Sequence, residues 1–162
     1  MADGTRRGKR SAGLLLFRRA AGGAEGVEVL LGHMGGPFWA RRDAGAWGVP
    51  KGEYEPGETP WEAARREFQE ELGLPPPAGT ALPLGETVQS GGKHVTVWAV
   101  EADLDPAEMV PGTFTMEWPR GSGRMAEFPE LDRVAWFGLD PARDRIVKAQ
   151  AIFLDRLAAQ VF

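Results

Sequence analysis

The hydrophobic positions near the start of the chain predict two adjacent strands. Residues 11 to 18 have a continuous apolar centre, and residues 27 to 34 place Val27, Val29 and Leu31 on one face of a strand. A Gly/Ala-rich stretch over residues 20 to 26 separates the two segments and favours a turn. We therefore predict that the two strands pair as a hairpin. The small, polar and basic residues 1 to 10 predict a mobile tail before it.

The helix signals are clearest in the middle of the chain. Thr59 stands in the N-cap position, Pro60 follows in the first helical position, and Glu62 completes a capping box. Gly73 provides a C-terminal stop signal. Together these residues predict a helix over residues 59 to 72.

Strand and helix patterns continue to alternate after this helix. Further strands are predicted at residues 84 to 90, 93 to 101, 113 to 118 and 134 to 137. The first two of these are expected to be joined by a two-residue turn at Gly91 and Gly92. Asp140, as an N-cap, and Pro141 predict a helical tail that is clearest over residues 150 to 159. The alternation predicts one mixed α/β domain over residues 11 to 162.

The composition narrows the chemistry that the chain can perform. Its 162 residues suit one globular domain with a sizeable core. The absence of cysteine excludes disulfides, thiolate metal sites and cysteine nucleophiles, and it fits a reducing cytoplasm. The formal net charge of −4 disfavours broad binding to duplex nucleic acid. Arg18 and Arg19 interrupt the apolar run near the start, so we expect neither a signal peptide nor a membrane span.

Carboxylates crowd the predicted helix and the loop before it. They are Glu53, Glu55, Glu58, Glu62, Glu67, Glu70 and Glu71. The last three have the spacing i, i+3 and i+4, which puts them on one helical face. That face lies beside an apolar stripe that should contact the core. The stripe consists of Trp61, Ala64, Phe68 and Leu72. Water should therefore screen the three carboxylates incompletely.

Two interpretations of this acidic face are open. In the plainer one, Glu62 and Glu70 pair with Arg65 and Arg66 on a solvated surface, and each pair contributes only about a few tenths of a kcal/mol. In the other, the carboxylates bind a hard divalent cation such as Mg²⁺, which prefers oxygen ligands. The tight Gly/Pro loop at residues 52 to 57 favours the second interpretation, and no His–Cys cluster offers a site for a softer metal.

The spacing of these residues resembles the Nudix box. Gly52 is followed after five residues by Glu58, and after seven more by the run Arg-Glu-Phe-Gln-Glu-Glu-Leu-Gly-Leu at residues 66 to 74. This agrees with the pattern G-x5-E-x7-R-E-U-x-E-E-x-G-U at every position. The flanking strands and the C-terminal helix also look like the family. The chain is thus similar to Nudix (MutT-type) hydrolases, and the resemblance implies an α/β/α sandwich around a mixed β-sheet.

The resemblance also implies a metal site. Glu67, Glu70 and Glu71 would ligate Mg²⁺ or Mn²⁺, and the backbone carbonyl near Lys51 or Gly52 would join them. The implied reaction is attack by a metal-activated water on one phosphorus of a diphosphate.

Two further roles belong to charged residues around the metal ligands. Arg66 would orient the glutamates through charge-assisted hydrogen bonds. The general base stays open: Glu67 is the first choice, and Glu127 and Glu130 from a downstream loop follow it. The two downstream glutamates are equally well explained as plain surface acids.

The loop before the box supplies candidate substrate-binding residues. Its run Trp-Gly-Val-Pro-Lys-Gly is similar to the W-x-x-P-K-G sequence of Nudix enzymes that act on dinucleoside polyphosphates and nucleoside triphosphates. In that case Lys51 contacts phosphate. Arg41 and Arg42 are candidates for bidentate phosphate binding, and Trp39 or Trp47 for stacking on a base. The alternatives are an exposed loop lysine and core packing of the aromatic rings.

The expected function is therefore Mg²⁺-dependent hydrolysis of a phosphoanhydride bond in a nucleoside diphosphate linked to another group. The substrate class is dinucleoside polyphosphates or nucleoside triphosphates. The alternative is a non-catalytic regulator that binds a nucleotide on the same fold, against which the complete box argues. The expected partner is a small-molecule nucleotide, with no role for duplex nucleic acid or a membrane. The oligomeric state and the physiological substrate stay open.

Overall fold

The computed structural model describes residues 9 to 19 and 26 to 162. Most of the predicted tail, residues 1 to 8, and residues 20 to 25 of the predicted turn lie outside this range. The tail prediction was wrong at Arg10, which begins the first strand because its backbone is in register with His94 of a neighbouring strand.

Nine strands and three α-helices account for most of the described residues. The strands are β1 (Arg10–Arg19), β2 (Val27–Met34), β3 (Trp47–Gly48), β4 (Lys51–Glu53), β5 (Ala81–Val88), β6 (His94–Glu101), β7 (Thr113–Glu117), β8 (Met125–Pro129) and β9 (Leu131–Gly138). The helices are α1 (Pro60–Leu72), α2 (Leu139–Arg145) and α3 (Ala151–Val161). Within the described ranges, no helix combines the length and the apolar composition needed to cross a membrane.

Seven of these strands form one mixed sheet. Its order is β3-β2-β1-β6-β5, with β4 paired to β1 and β9 paired to β2. β1 and β6 run parallel, whereas the other pairs are antiparallel. The predicted hairpin of β1 and β2 is confirmed. β7 and β8 form a separate two-stranded sheet, and β8 was missed because its five residues lack a continuous apolar alternation.

Helices cover both faces of the main sheet. Leu14 of β1 packs in the same cluster as Phe68 of α1, whereas its neighbour Leu15 packs in the cluster of Phe153 on α3. Successive side chains of a strand point to opposite faces, so the continuous apolar run of β1 serves both cores. The result is the α/β/α sandwich that the resemblance implied.

Helix α1 begins and ends where its capping residues predict. The Thr59 hydroxyl accepts a hydrogen bond from the Glu62 backbone N–H at 3.1 Å, and the Glu62 carboxylate accepts one from the Thr59 N–H at 3.1 Å. Gly73 closes the helix in the left-handed region with φ of 68°. Phe68 and Leu72 of the apolar stripe are fully buried. The helix is therefore fixed at both ends and along one face, which holds its acidic face in place.

The connection between β5 and β6 differs from the predicted two-residue turn. It spans residues 89 to 93, and the backbone N–H of Gln89 donates to the carbonyl of Lys93 at 2.7 Å. Ser90–Gly92 form a single 3-10 turn inside it. The longer connection brings the Gln89 side chain to the end of the sheet.

The predicted C-terminal helix is interrupted. It begins at Leu139 with Gly138 as N-cap, so Asp140 lies inside the first turn and is not the cap. Ile146 is extended because it forms a parallel bridge with Trp47, and the Val147 N–H donates to the Trp47 carbonyl at 2.8 Å. A 3-10 turn, Lys148–Gln150, then leads into α3.

Candidate active site

A cleft of about 450 Å³ lies between the acidic face of α1 and strand β4. Its lining includes Lys51, Gly52, Glu67, Glu70, Glu71 and Glu130. The three glutamates of α1 face the β4 residues, and Glu130 enters from the connection between β8 and β9. The fold therefore gathers the predicted metal ligands and one of the downstream glutamates in a single cleft.

Arg66 organises the glutamates on one side of this cleft. Its guanidinium donates to both carboxylate oxygens of Glu58, at 2.7 and 2.8 Å. The same group donates to Glu67 at 2.8 Å and to Glu70 at 3.1 Å. The hydrogen bonds between Arg66 and Glu58 lower the pKa of Glu58. Arg66 therefore contacts the glutamates that it is predicted to orient, and the paired Glu58 fixes the guanidinium in turn.

Gly52 lies against the carboxylate of Glu67. A Cβ atom added at Gly52 would stand 1.9 Å from Glu67 Oε2 and 2.0 Å from its Cδ. Only glycine therefore permits this carboxylate to approach the backbone of β4. The close approach is the physical reason for a glycine at the first position of the box.

The pKa values of two glutamates reveal how strongly the site disfavours negative charge when no cation is present. Burial, together with the charges of Glu67 and Glu130, raises the pKa of Glu71 to about 8, and Lys51 opposes the shift. Burial also raises the pKa of Glu67, against the opposing effect of Arg66. A cation in the cleft would relieve both effects.

The donor set suits a hard divalent cation. Apart from its two lysines, the side chains that line the cleft with polar groups are glutamates and hydroxyl residues, and the oxygen ligands that they offer are what Mg²⁺ and Mn²⁺ prefer. The hydroxyl of Ser11, another lining residue, is buried and makes no hydrogen bond among the described residues, so it is available to a polar group held in the cleft. In the described part of the chain the acidic side chains do not form a preassembled metal-binding group, and Glu67 and Glu70 both contact Arg66.

Two lysines line both this cleft and a second cavity beside it. They are Lys51, which the sequence predicted as a phosphate contact, and Lys93, for which the sequence predicted no role. The Nζ atom of Lys93 lies 3.6 Å from Oε2 of Glu53. Burial and the charge of Lys93 lower the pKa of Lys51. Two cations beside a cluster of carboxylates form an arrangement that suits a bound polyphosphate.

The second cavity has a volume of about 620 Å³, and we call it the distal cavity. Its further lining residues are Met34, Trp39, Gln89, Ser90, Val147, Lys148, Ala149 and Gln150. Trp39, predicted to stack on a base, lies in this wall and is half-buried. Gln89 and Gln150 carry no local sequence signal, because they meet only through the fold.

The other predicted substrate-binding residues line neither the cleft nor the distal cavity. Trp47 is 3% exposed, and its ring packs edge-on against His33 and Phe137, so the prediction that it stacks on a base is wrong. Arg41 and Arg42 are exposed and do not belong to the lining of the described cavities, so phosphate binding by them stays a prediction.

Glu127, the other downstream candidate for the base, is not among the residues that line the cleft, although its hydrogen-bond partner Thr113 is. Its carboxylate accepts a hydrogen bond from the Thr113 hydroxyl at 3.0 Å on the β7–β8 sheet. Glu130, in contrast, has its backbone fixed beside the cleft. Its N–H donates to the Gly112 carbonyl at 2.8 Å, and its carbonyl accepts from the Gly35 N–H at 3.0 Å. The geometry therefore favours Glu130 over Glu127.

Comparison with known proteins agrees with this arrangement. A family model described as the NUDIX domain matches residues 7 to 157. The chain belongs to the Nudix family. Among the solved structures similar to this Nudix protein, the Ap4A hydrolase of C. elegans in a binary complex has a TM-score of 0.67 at 23% identity, covering 94% of this chain and 97% of that one. A Nudix hydrolase from M. smegmatis, RenU, has a TM-score of 0.58 at 28% identity, covering 96% and 85%.

The matches to curated proteins cover only part of each relative. The 8-oxo-(d)GTP phosphatase of Mycolicibacterium smegmatis is 29% identical over 144 residues, which make up 85% of this chain and 37% of that protein. An RNA pyrophosphohydrolase from Hahella chejuensis is 45% identical over 51 residues, or 31% of this chain and 32% of that protein. The chain thus spans about a third of the length of these relatives.

Proposed function

We propose that this Nudix protein hydrolyses a phosphoanhydride bond in a nucleoside diphosphate linked to another group, with Mg²⁺ or Mn²⁺ as the metal ion. The substrate class is nucleoside triphosphates or dinucleoside polyphosphates. The observation that carries the proposal is a cleft lined by five glutamates that shares two lysines, Lys51 and Lys93, with the neighbouring distal cavity. Relatives named for action on 8-oxo-(d)GTP and as an RNA pyrophosphohydrolase support the same reaction class.

The metal ion would be held by the carboxylates of Glu67, Glu70 and Glu71 and by the backbone carbonyl of Gly52. When bound, a divalent cation lowers the pKa of a water ligand and neutralises phosphate oxygens. The chain itself supplies the fixed positions of these ligands. Helix α1 is anchored by its caps and by its buried stripe, so metal binding would require rotation of the Glu67 and Glu70 side chains but no movement of the helix.

Lys51 and Lys93 would bind the phosphate chain between the two parts of the cleft. Their ammonium groups neutralise negative charge on the substrate, and their position directs the nucleoside towards the distal cavity. The lowered pKa of Lys51 reflects the burial of its side chain. A phosphate group would favour the charged form of this lysine.

Glu130 is the general base in this proposal. Its side chain lies at the rim of the cleft and forms no ion pair among the described residues, so its carboxylate is available to accept a proton from water. Glu67, the other candidate, is bound to Arg66 at 2.8 Å. That contact suits a ligand held in one orientation better than a group that must accept and release a proton.

The Glu70→Gln variant tests the proposal, because it removes one charged ligand while it preserves the shape of the side chain. We expect turnover of ATP, GTP and diadenosine tetraphosphate with Mg²⁺ or Mn²⁺ to fall by roughly a hundredfold or more. Products are identified by mass spectrometry. Glu108→Gln, an exposed glutamate on a 3-10 turn away from the cleft, is the matched control. Unchanged turnover in Glu70→Gln contradicts the proposal, and tight nucleotide binding without any product favours a non-catalytic regulator.

A further inference from the structure

The distal cavity has a polar wall built from two glutamine side chains. Gln150 is 1% exposed and precedes α3, whereas Gln89 comes from the connection between β5 and β6. Both side chains line the cavity. A buried carboxamide needs defined hydrogen-bond partners, so the partners of these two groups determine what the wall can recognise.

The orientation of the Gln150 carboxamide follows from its contact with the backbone. The N–H of Val49 lies 2.9 Å from Gln150 Oε1. A backbone N–H only donates, so the oxygen of Gln150 must face Val49, and its Nε2 group must face the opposite way. The carboxamide also packs against Gly48, where an added Cβ would lie 3.1 Å from Oε1. The side chain is therefore fixed in one orientation.

Gln150 in turn orients Gln89. Gln150 Nε2 donates to Gln89 Oε1 at 2.9 Å. With its oxygen engaged in this way, Gln89 presents its own Nε2 group, which has two N–H donors. Within the described residues, this Nε2 group has no protein acceptor. The relay from Val49 through both glutamines therefore ends in N–H donors at the wall of the cavity.

We propose that the Gln89 Nε2 group in this wall selects nucleotides whose base carries a carbonyl oxygen where adenine and cytosine carry an amino group. Guanine offers two adjacent acceptors, O6 and N7, and uracil offers O4. The amino groups of adenine and cytosine would face the Gln89 amide donor to donor. The inference rests on the proposed function, because it assumes that the distal cavity holds the nucleoside of the hydrolysed substrate.

The surroundings of the wall support recognition of a planar base. Trp39 and Met34 supply apolar surface in the same cavity, and the two lysines at its mouth would hold the phosphates. A donor that loses its water partner and gains no acceptor weakens binding by roughly tenfold to a hundredfold. We therefore expect a preference of at least about tenfold for GTP over ATP and for UTP over CTP.

The experiment measures kcat/KM for GTP, ATP, UTP and CTP in the wild type and in two variants. In Gln89→Glu, one carboxylate oxygen still accepts from Gln150, while the other replaces the Nε2 donors by an acceptor. The preference should reverse towards ATP and CTP in this variant. Gln89→Leu removes both the acceptor and the donors of the side chain. In this variant the ratios of kcat/KM for GTP over ATP and for UTP over CTP should be close to one. Reversal in one variant and loss in the other would not result from a merely structural role.

Gln160→Glu is the control for the added negative charge. Gln160 lies on α3, outside the lining of the cavity, and its side chain donates to the Pro83 carbonyl. This variant should keep the wild-type ratios, and thermal unfolding checks that all variants are folded. If the wild type cleaves GTP and ATP equally well and Gln89→Glu does not move the ratio, the amide inference is wrong while the proposed function stands. If no nucleotide is cleaved, the proposed function itself is wrong.

Discussion

The Gly52→Ala variant tests whether activity depends on the position of the Glu67 carboxylate as well as on its charge. A Cβ at residue 52 would lie 1.9 Å from Glu67 Oε2, whereas ordinary van der Waals contact begins at 3.4 Å. The carboxylate must therefore move by about 1.5 Å, because the backbone of β4 is held by its pairing with β1. A displacement of about 1 Å in a catalytic group typically costs about a hundredfold in rate. We expect kcat to fall by roughly that factor.

The same change should have little effect on stability. Gly52 does not adopt a positive φ, so alanine fits the backbone conformation. The atom that must give way is the far end of a flexible side chain. Loss of unfolded-state entropy on replacing glycine by alanine adds about 0.4 to 1 kcal/mol of stability, which offsets part of the cost of moving Glu67. The free energy of unfolding should therefore stay within about 1 kcal/mol of the wild-type value.

Gly57→Ala provides the matched control in the same loop. Gly57 also lacks a positive φ, and an added Cβ would meet no atom within 4 Å. The assay compares kcat at saturating nucleotide over a Mg²⁺ titration, and urea unfolding gives the stability of both variants. A Gly52→Ala protein with a kcat within twofold of Gly57→Ala would refute the argument that Glu67 must approach the backbone.

Three further predictions concern stability. Because the pKa of Glu71 is raised from 4.5 to about 8, the folded protein without metal ions keeps a proton that the unfolded chain releases. Its free energy of unfolding in EDTA should therefore fall between about pH 5 and pH 8, by up to about 1.4 kcal/mol per pH unit, and Glu71→Gln should flatten the curve. Thr59→Ala removes the N-cap and should cost about 1 kcal/mol in urea unfolding. Phe68→Ala empties a fully buried position and should cost about 3 to 5 kcal/mol in the same measurement.

The parts of the site that could be predicted depend on local sequence. The caps of α1 and the glutamates one helical turn apart follow from helical geometry, so their placement needed no knowledge of the rest of the fold. The bidentate pair of Glu58 and Arg66 joins the loop to the helix across only eight residues. Such short-range features are where a sequence pattern and a structure correspond most closely.

Longer-range contacts decide the features that the sequence did not indicate. Trp47 has the residue type of a base-stacking group, but its bridge to Ile146 draws it into the core. Gln89 and Gln150 meet across 61 residues, and neither lies in a recognisable motif. Their contact exists only because α3 starts beside the β5–β6 connection. Side-chain identity alone therefore could not separate core aromatic residues from cavity residues.

The two ends of the cleft are held by different physical means, and this difference bears on function. At the end proposed to bind the metal ion, called the metal end here, Arg66 and Lys51 offset the repulsion among the glutamates, so the acidic side chains are balanced by charges that a cation could replace. At the distal end, neutral amides are fixed by a backbone N–H, and no charge has to be displaced. Charge balance permits the metal end to rearrange when a cation binds. A fixed amide, as proposed above, would instead discriminate between bases, because a mismatched group would have no alternative partner nearby. Changes at the distal end should therefore alter which nucleotide is cleaved, whereas changes at the metal end should alter how fast.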